Sequence, residues 1–372
     1  MIASLRSPSS VPNRSVDQLP NRLSTVIDRQ KGSRVNRLKS QSLTVALLAV
    51  ALFLAAAASS RTESASSQAP IEPPPYWAYA VNPPAPATDA PAKPDDTTLL
   101  HVPGSKLSFT PSQVHDFFNV PDWHPSAHPK MPDIVAHGRR PDVYACGYCH
   151  LPNGQGRPEN SSLAGLSAAY IVQQLADFKS GARKSSDPDL KPVSNMITVA
   201  TKATDVEVQT AAEYFATLKP KPWIRVVEAK FVPKTHVAGW MLVVSTPHEM
   251  ESIGDRIIET PENLERTELR DDSSGFIAYV PPGSVKHGRS LVTTGANGKT
   301  IICATCHGPN LKGLKDVPSI AGRSPSYIVR QLYDMQSGAR TGLNFPKMKP
   351  VVANLSLYDI IAIAAYTSSL EP

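Results

Sequence analysis

Two stretches of the chain repeat one alternation of apolar and polar positions. Tyr170, Gln174, Leu175 and Phe178 fall at helical spacing, and so do Tyr327, Gln331, Leu332 and Met335. The pattern predicts a helix in each. Further on, Thr204 with Glu207 and Ser356 with Asp359 match the capping box that opens a helix. The apolar faces of these last helices would be Val208, Ala211, Ala212 and Phe215 in one copy and Ile360, Ile363 and Ala364 in the other. Between the copies, Trp223 to Val227 and Trp240 to Val244 are β-favouring runs broken by Pro233, Pro247 and Pro261. The expected fold is mainly α, with two helical domains flanking a small β-containing insert.

The copies align without a gap at an offset of 157 residues, Cys146–Arg183 on Cys303–Arg340, with 20 identities in 38 positions. After a five-residue length difference the alignment resumes at offset 152, pairing Met196 with Met348 and Tyr214 with Tyr366. Each methionine precedes its tyrosine by 18 residues. This is an internal duplication.

Ahead of the repeats, residues 43–58 form an uncharged apolar run behind Arg34, Arg37 and Lys39, with Ala56, Ala57 and Ala58 as small residues for cleavage. The run suits an export signal, or a membrane anchor if it is not removed, and either places the later residues outside the cytoplasm. Nine prolines in residues 69–95 suit an extended tether. The resulting division is 1–58 signal or anchor, 59–104 proline-rich linker, 105–220 first domain, 221–283 insert and 284–372 second domain.

Charge sharpens this division. The formal net charge is +6, yet residues 1–42 carry eight basic against two acidic side chains, so the leader holds the whole excess. From residue 43 onward 30 basic residues balance 30 acidic ones, which gives no support for a nucleic-acid-binding body.

All four cysteines fall in two identical frames, Cys146-Gly147-Tyr148-Cys149-His150 and Cys303-Ala304-Thr305-Cys306-His307. The spacing lets two thiols add to the two vinyl groups of one haem while the adjacent histidine coordinates iron. A thioredoxin-like dithiol, a disulfide or a zinc site would account for the cysteines without requiring that histidine. Two copies therefore read as two c-type attachment sites. Met196 and Met348, on a loop between two helices, can supply a soft thioether from the opposite face. Core packing is the bland role for any methionine, but recurrence at equal spacing favours ligation. The expected metal ligands are His150 with Met196 and His307 with Met348. Met335, aligned with Phe178, reads as packing, and Met131 has no counterpart in the second copy.

The order of attachment motif, glycine-rich turn, tyrosine-bearing helix, methionine and final helix resembles the class I cytochrome c family, in its tandem diheme members. The resemblance covers roughly residues 130–219 and 284–371. It implies two covalently bound haem c groups and a proline carbonyl that orients each histidine ring. Pro318 matches that role in the second copy, whereas the first has Ser161, so unequal haems are expected. The resemblance further implies an exported electron carrier that works with redox protein partners, a donor dehydrogenase and a terminal oxidase or other respiratory acceptor, in a periplasm. The alternatives are a diheme oxidoreductase, peroxidase-like or acting on sulfur compounds, with one open haem, or the cytochrome subunit of a larger membrane-associated dehydrogenase.

Several residues stay outside the expected site. His137 and His287 could touch a haem edge or propionate, but suit packing of an opening helix better. Arg183 and Arg340 suit either haem propionates or a solvated helix end. His124 and His128 resemble a metal-binding cluster only superficially and suit a proline-rich loop surface better.

Overall fold

The computed structural model describes residues 73–84 and 96–372, so the expected signal or anchor and the rest of the proline-rich tract lie outside the described residues. In chain order the first helices are α1 (Pro111–Val114), α2 (Asp133–Ala136), α3 (Cys146–His150), α4 (Ala168–Lys179), α5 (Lys191–Lys202) and α6 (Asp205–Thr217). Ser167 starts α4 by accepting from the Tyr170 amide, and Thr204 with Glu207 forms the expected capping box at α6. α4 and α6 close a core of Ile134, Val135, Val143, Leu166, Ile171, Ala212 and Phe215.

The insert carries β1 (Ile224–Glu228), β2 (Phe231–Pro233), β3 (Thr235–Ala238), β4 (Met241–Val244), β5 (Met250–Ser252), β6 (Ile258–Pro261), α7 (Leu264–Glu268) and β7 (Phe276–Val280). β7 is the middle of a three-stranded sheet, parallel to β1 with Ile224 opposite Phe276, and antiparallel to β6 with Ile258 opposite Tyr279. β2 pairs with β5 and β3 with β4, both antiparallel. Trp240, expected inside a strand, instead sits in the two-residue turn of the β3–β4 hairpin. Gly239 and Trp240 both have positive φ, 59° and 61°, which a tight turn of this hand requires.

The second repeat follows as α8 (Ser284–Thr294), α9 (Ala304–His307), α10 (Pro325–Ser337), α11 (Phe345–Val352) and α12 (Leu357–Ser368). Ser324 caps α10, and Ser356 with Asp359 forms the capping box of α12. α12 is buried nearly all round, beyond the single face expected, because α8, α10 and the sheet all pack on it. Its approach to α8 is so close that a Cβ at Gly288 would collide with the Ala362 carbonyl, which requires glycine there. Leu291, Val329, Leu332, Ile360 and Ile361 fill this second core, together with Val232, Ile257 and Val280 of the insert. The insert is thus built onto the second repeat.

Two expectations need correction. Residues 73–84, placed in a linker, contribute Trp77, Ala78 and Tyr79 to the second core. The Tyr79 hydroxyl donates to Asp334 Oδ1 at 2.7 Å, and Arg330 donates to the Ala78 carbonyl at 2.6 Å. Proline count masked two core aromatics, one of which, Tyr79, finds a buried carboxylate. The methionines are also not on loops. Met196 lies in α5 and Met348 in α11, each helix opened by a proline in its first turn, where the missing N–H costs nothing.

Among the described residues no single helix is long and apolar enough to cross a membrane.

Candidate functional site

Helix α3 holds the first pentapeptide in little more than one turn, and Leu151, at φ 62°, ends it. His150 is buried, and its Nδ1 lies 2.8 Å from the Ser161 carbonyl. The second copy repeats this geometry, with His307 Nδ1 2.8 Å from the Pro318 carbonyl. A carbonyl only accepts, so Nδ1 carries the proton in both rings and Nε2 presents a lone pair. Burial pushes both imidazoles down from their ordinary pKa, which keeps them neutral and ready to ligate. The replacement of proline by serine in the first copy leaves the orienting bond intact, because the backbone supplies it.

Burial also pushes the Cys146 thiol up to about 12 and the Cys303 thiol up to about 11. A dithiol redox motif needs the opposite, a thiol poised toward thiolate. All four cysteines are free in the structure.

Cys146, Cys149, His150 and Met196 line one open cavity of about 1100 Å³, whose remaining walls include Ile171, Leu175, Val199 and Phe215. A predominantly apolar slot lined by two thiols, an imidazole and a thioether suits a covalently held haem. In the second repeat Cys303, Met348, Tyr327 and Ile320 border the second core, as does Met335, which packs there as expected. Met131 packs beside Gly147 and the first core, outside the cavity lining.

No family model matches the chain. Among curated proteins, the chain is 39% identical over 70 residues to cytochrome c-554(548) of Halomonas halodenitrificans, covering 18% of this chain and 84% of that protein. It is 25% identical over 232 residues to cytochrome c4 of Azotobacter vinelandii, 61% of this chain and 84% of that one. It is also 24% identical over 234 residues to a thiosulfate dehydrogenase electron acceptor of Thiomonas intermedia, 62% of this chain and 80% of that protein.

The chain belongs to the c-type cytochromes. It is a diheme cytochrome with two covalently bound haem c groups, and it is an electron carrier.

The cytochrome contains functional residues that sequence reasoning missed. The hairpin turn of the insert, Gly239 and Trp240, reaches the lining of the first haem cavity, and so does Arg270. Arg270 lies 3.6 Å over the Tyr148 ring and donates to the Tyr148 carbonyl at 2.9 Å, so it grips the attachment helix itself. Arg157 and Glu159, a buried ion pair at 3.0 Å, line the same cavity. The aligned positions in the second copy are Leu314 and Asp316. Nothing in the sequence pattern pointed to Trp240, since its partner is a cavity formed by residues far along the chain.

Arg183 and Arg340 do not sit at a solvated helix end, one of the two roles considered for them from sequence. Both are buried. Arg183 donates to Gln174 of its own repeat at 2.9 Å and to Tyr327 and Gln331 of the other at 3.0 and 2.9 Å. Arg340 mirrors this, donating to Gln331 of its own repeat at 2.9 Å and to Tyr170 and Gln174 of the other at 3.0 and 2.7 Å. The identical Ser-Gly-Ala-Arg in both copies was the signal, but only a pseudo-twofold contact between copies explains it.

His287 bonds Asp359 at 2.9 Å and stacks on Tyr358, so it packs as expected, whereas His137 is exposed and bonds Asn119 at 3.1 Å.

Proposed function

We propose that this cytochrome passes electrons, in the periplasm, from a dehydrogenase of a small reduced sulfur compound to a downstream respiratory acceptor. His150 with Met196 and His307 with Met348 are the axial pairs, and Cys146, Cys149, Cys303 and Cys306 the covalent attachments. The observation that carries the reading is that Met196 shares one cavity with a His150 whose Nδ1 is already tied to a carbonyl. When bound, each haem supplies reversible one-electron chemistry at iron, with the thioether raising its potential above that of bis-histidine ligation. The protein holds the imidazole tautomer, closes the cavity with apolar side chains and fixes the two copies against each other.

The donor class rests on the relative from Thiomonas intermedia that is named an electron acceptor of thiosulfate dehydrogenase. The limits 105–220, 221–283 and 284–372 remain our division of the chain, with residues 73–84 added to the second domain. Residues 43–58 serve as the export signal or, uncleaved, as an inner-membrane anchor.

The test is to mix the oxidised holoprotein with a purified thiosulfate dehydrogenase and thiosulfate and follow haem reduction. Two electrons should be accepted per chain, and carbon monoxide should not bind the reduced protein. Rapid carbon monoxide binding at one haem, with turnover of thiosulfate or peroxide by this chain alone, would instead make it a diheme oxidoreductase.

A further inference from the structure

His124 lies in the proline-rich loop before the first repeat, and the insert packs against that loop, with the Trp123 indole donating to the Leu269 carbonyl at 2.7 Å. His124 Nε2 comes to 3.0 Å from Asp271 Oδ1, and Asp272 lies beside them. Each of the three offers a ligand atom, and these atoms all lie within 4.8 Å of one another. We infer that His124, Asp271 and Asp272 bind a divalent transition-metal ion, zinc by their donor chemistry, which fastens the insert to the first haem domain.

The second observation is Asp272 itself. It is 4% exposed, and its Oδ2 is buried with no hydrogen-bond partner. A carboxylate oxygen removed from water without a partner is costly, and an ion in the cluster would supply the missing contact. Burial also pushes this carboxyl up, so a proton is the competing occupant.

The supporting contacts suit metal binding. Arg266 holds Asp271 Oδ2 at 2.7 Å, and the Ser273 amide donates to Oδ1 at 2.9 Å, so the carboxylate is oriented before any ion arrives. Zinc bonds of about 2.0–2.1 Å at tetrahedral angles put neighbouring ligand atoms about 3.3 Å apart, close to the observed nitrogen–oxygen separation. Imidazole nitrogen with carboxylates favours zinc over calcium, which takes oxygen ligands in larger number. Asp122, paired with His128 at 3.1 Å, accepts from the His124 amide at 3.2 Å and so helps to fix the loop that carries His124.

The location gives the ion a structural consequence. The Asp272 carbonyl accepts from Asn153 at 2.6 Å, and Asn153 is three residues beyond the candidate ligand His150. The Tyr214 hydroxyl, near His128, donates to the Pro152 carbonyl at 2.7 Å. An ion here therefore ties the loop, the insert and the turn after the first haem attachment into one junction.

The experiment is calorimetric titration of zinc sulfate into chelator-treated, untagged holoprotein. One equivalent should bind, and Asp272→Asn, which keeps the shape and removes the charge, should weaken binding at least tenfold. His124→Gln should do the same, with the haem absorption unchanged in both. Zinc should also raise the melting temperature of the wild type, reversibly on adding chelator, which tests the idea even if a variant does not fold. No binding, or equal binding in both variants, would overturn it, because the first means a protonated Asp272 and the second an adventitious histidine elsewhere.

Discussion

Arg183 and Arg340 face each other across the junction of the two repeats as an antiparallel bridge pair, each guanidinium reaching the tyrosine and glutamine of the other copy. Backbone bonds flank them, from the Lys184 amide to the Ala339 carbonyl at 2.8 Å and from the Thr341 amide to the Ala182 carbonyl at 2.7 Å. Two buried cations here bond neutral side-chain partners, and burying them is costly unless that network is complete. Arg183→Gln takes the guanidinium donor from Tyr327 and leaves Gln331 with the Arg340 guanidinium alone. The substitution should lower the unfolding free energy by about 2–4 kcal/mol, as expected for charge-assisted bonds lost from a buried site. Denaturant unfolding of the holoprotein measures this, and the double variant with Arg340→Gln should lose less than the sum because the two share partners.

Trp240 extends from the insert to the lining of the first haem cavity, with its amide held at 2.9 Å by Asn82. Removing the indole admits water, and a wetter haem favours the oxidised, more charged state. Trp240→Ala should lower the potential of the first haem on the order of tens of millivolts and leave the second unchanged. Spectroelectrochemical titration separates the two steps.

Arg270 brings a cation to the same cavity. Arg270→Gln should lower the first potential as well, by on the order of 50 mV if the charge acts through an effective dielectric near 20. Loss of its bond to the Tyr148 carbonyl should also raise amide exchange in Cys146–His150.

Most of the secondary structure around the haems was legible in the sequence because it is local. Thr204 and Ser356 announce their helices within three residues, and the apolar spacing of α4 and α10 is short-range. The attachment residues were legible for the same reason, a fixed pentapeptide. Tyr79 was not, because its partner Asp334 lies 255 residues away, and neither was the helical setting of Met196 and Met348. Trp240 and Arg183 belong to the same class. Each has a role created by tertiary contact, and a residue pattern holds no record of what it will meet.

Acid should act through Asp359, which accepts from Lys299 at 2.6 Å and His287 at 2.9 Å. Burial alone would raise its pKa, but the bonds from Lys299, Ser356 and His287 outweigh that and hold it at about 2, below the ordinary 3.8. A depressed folded pKa stabilises the protein above the unfolded value, and that contribution is lost as pH falls toward 2. The stability difference between wild type and Asp359→Asn should be constant above pH about 5 and shrink between about 4 and 2. Thermal melts across that range check it.

The measurement that tests the account most directly is the long-wavelength absorption band of methionine sulfur on ferric iron, quantified per covalent haem in the oxidised holoprotein. Two equivalents should be present, falling to one in Met196→Ala and one in Met348→Ala. One equivalent or none in the wild type, or a band that survives either substitution unchanged, would contradict the assignment of these methionines and with it the closed electron carrier.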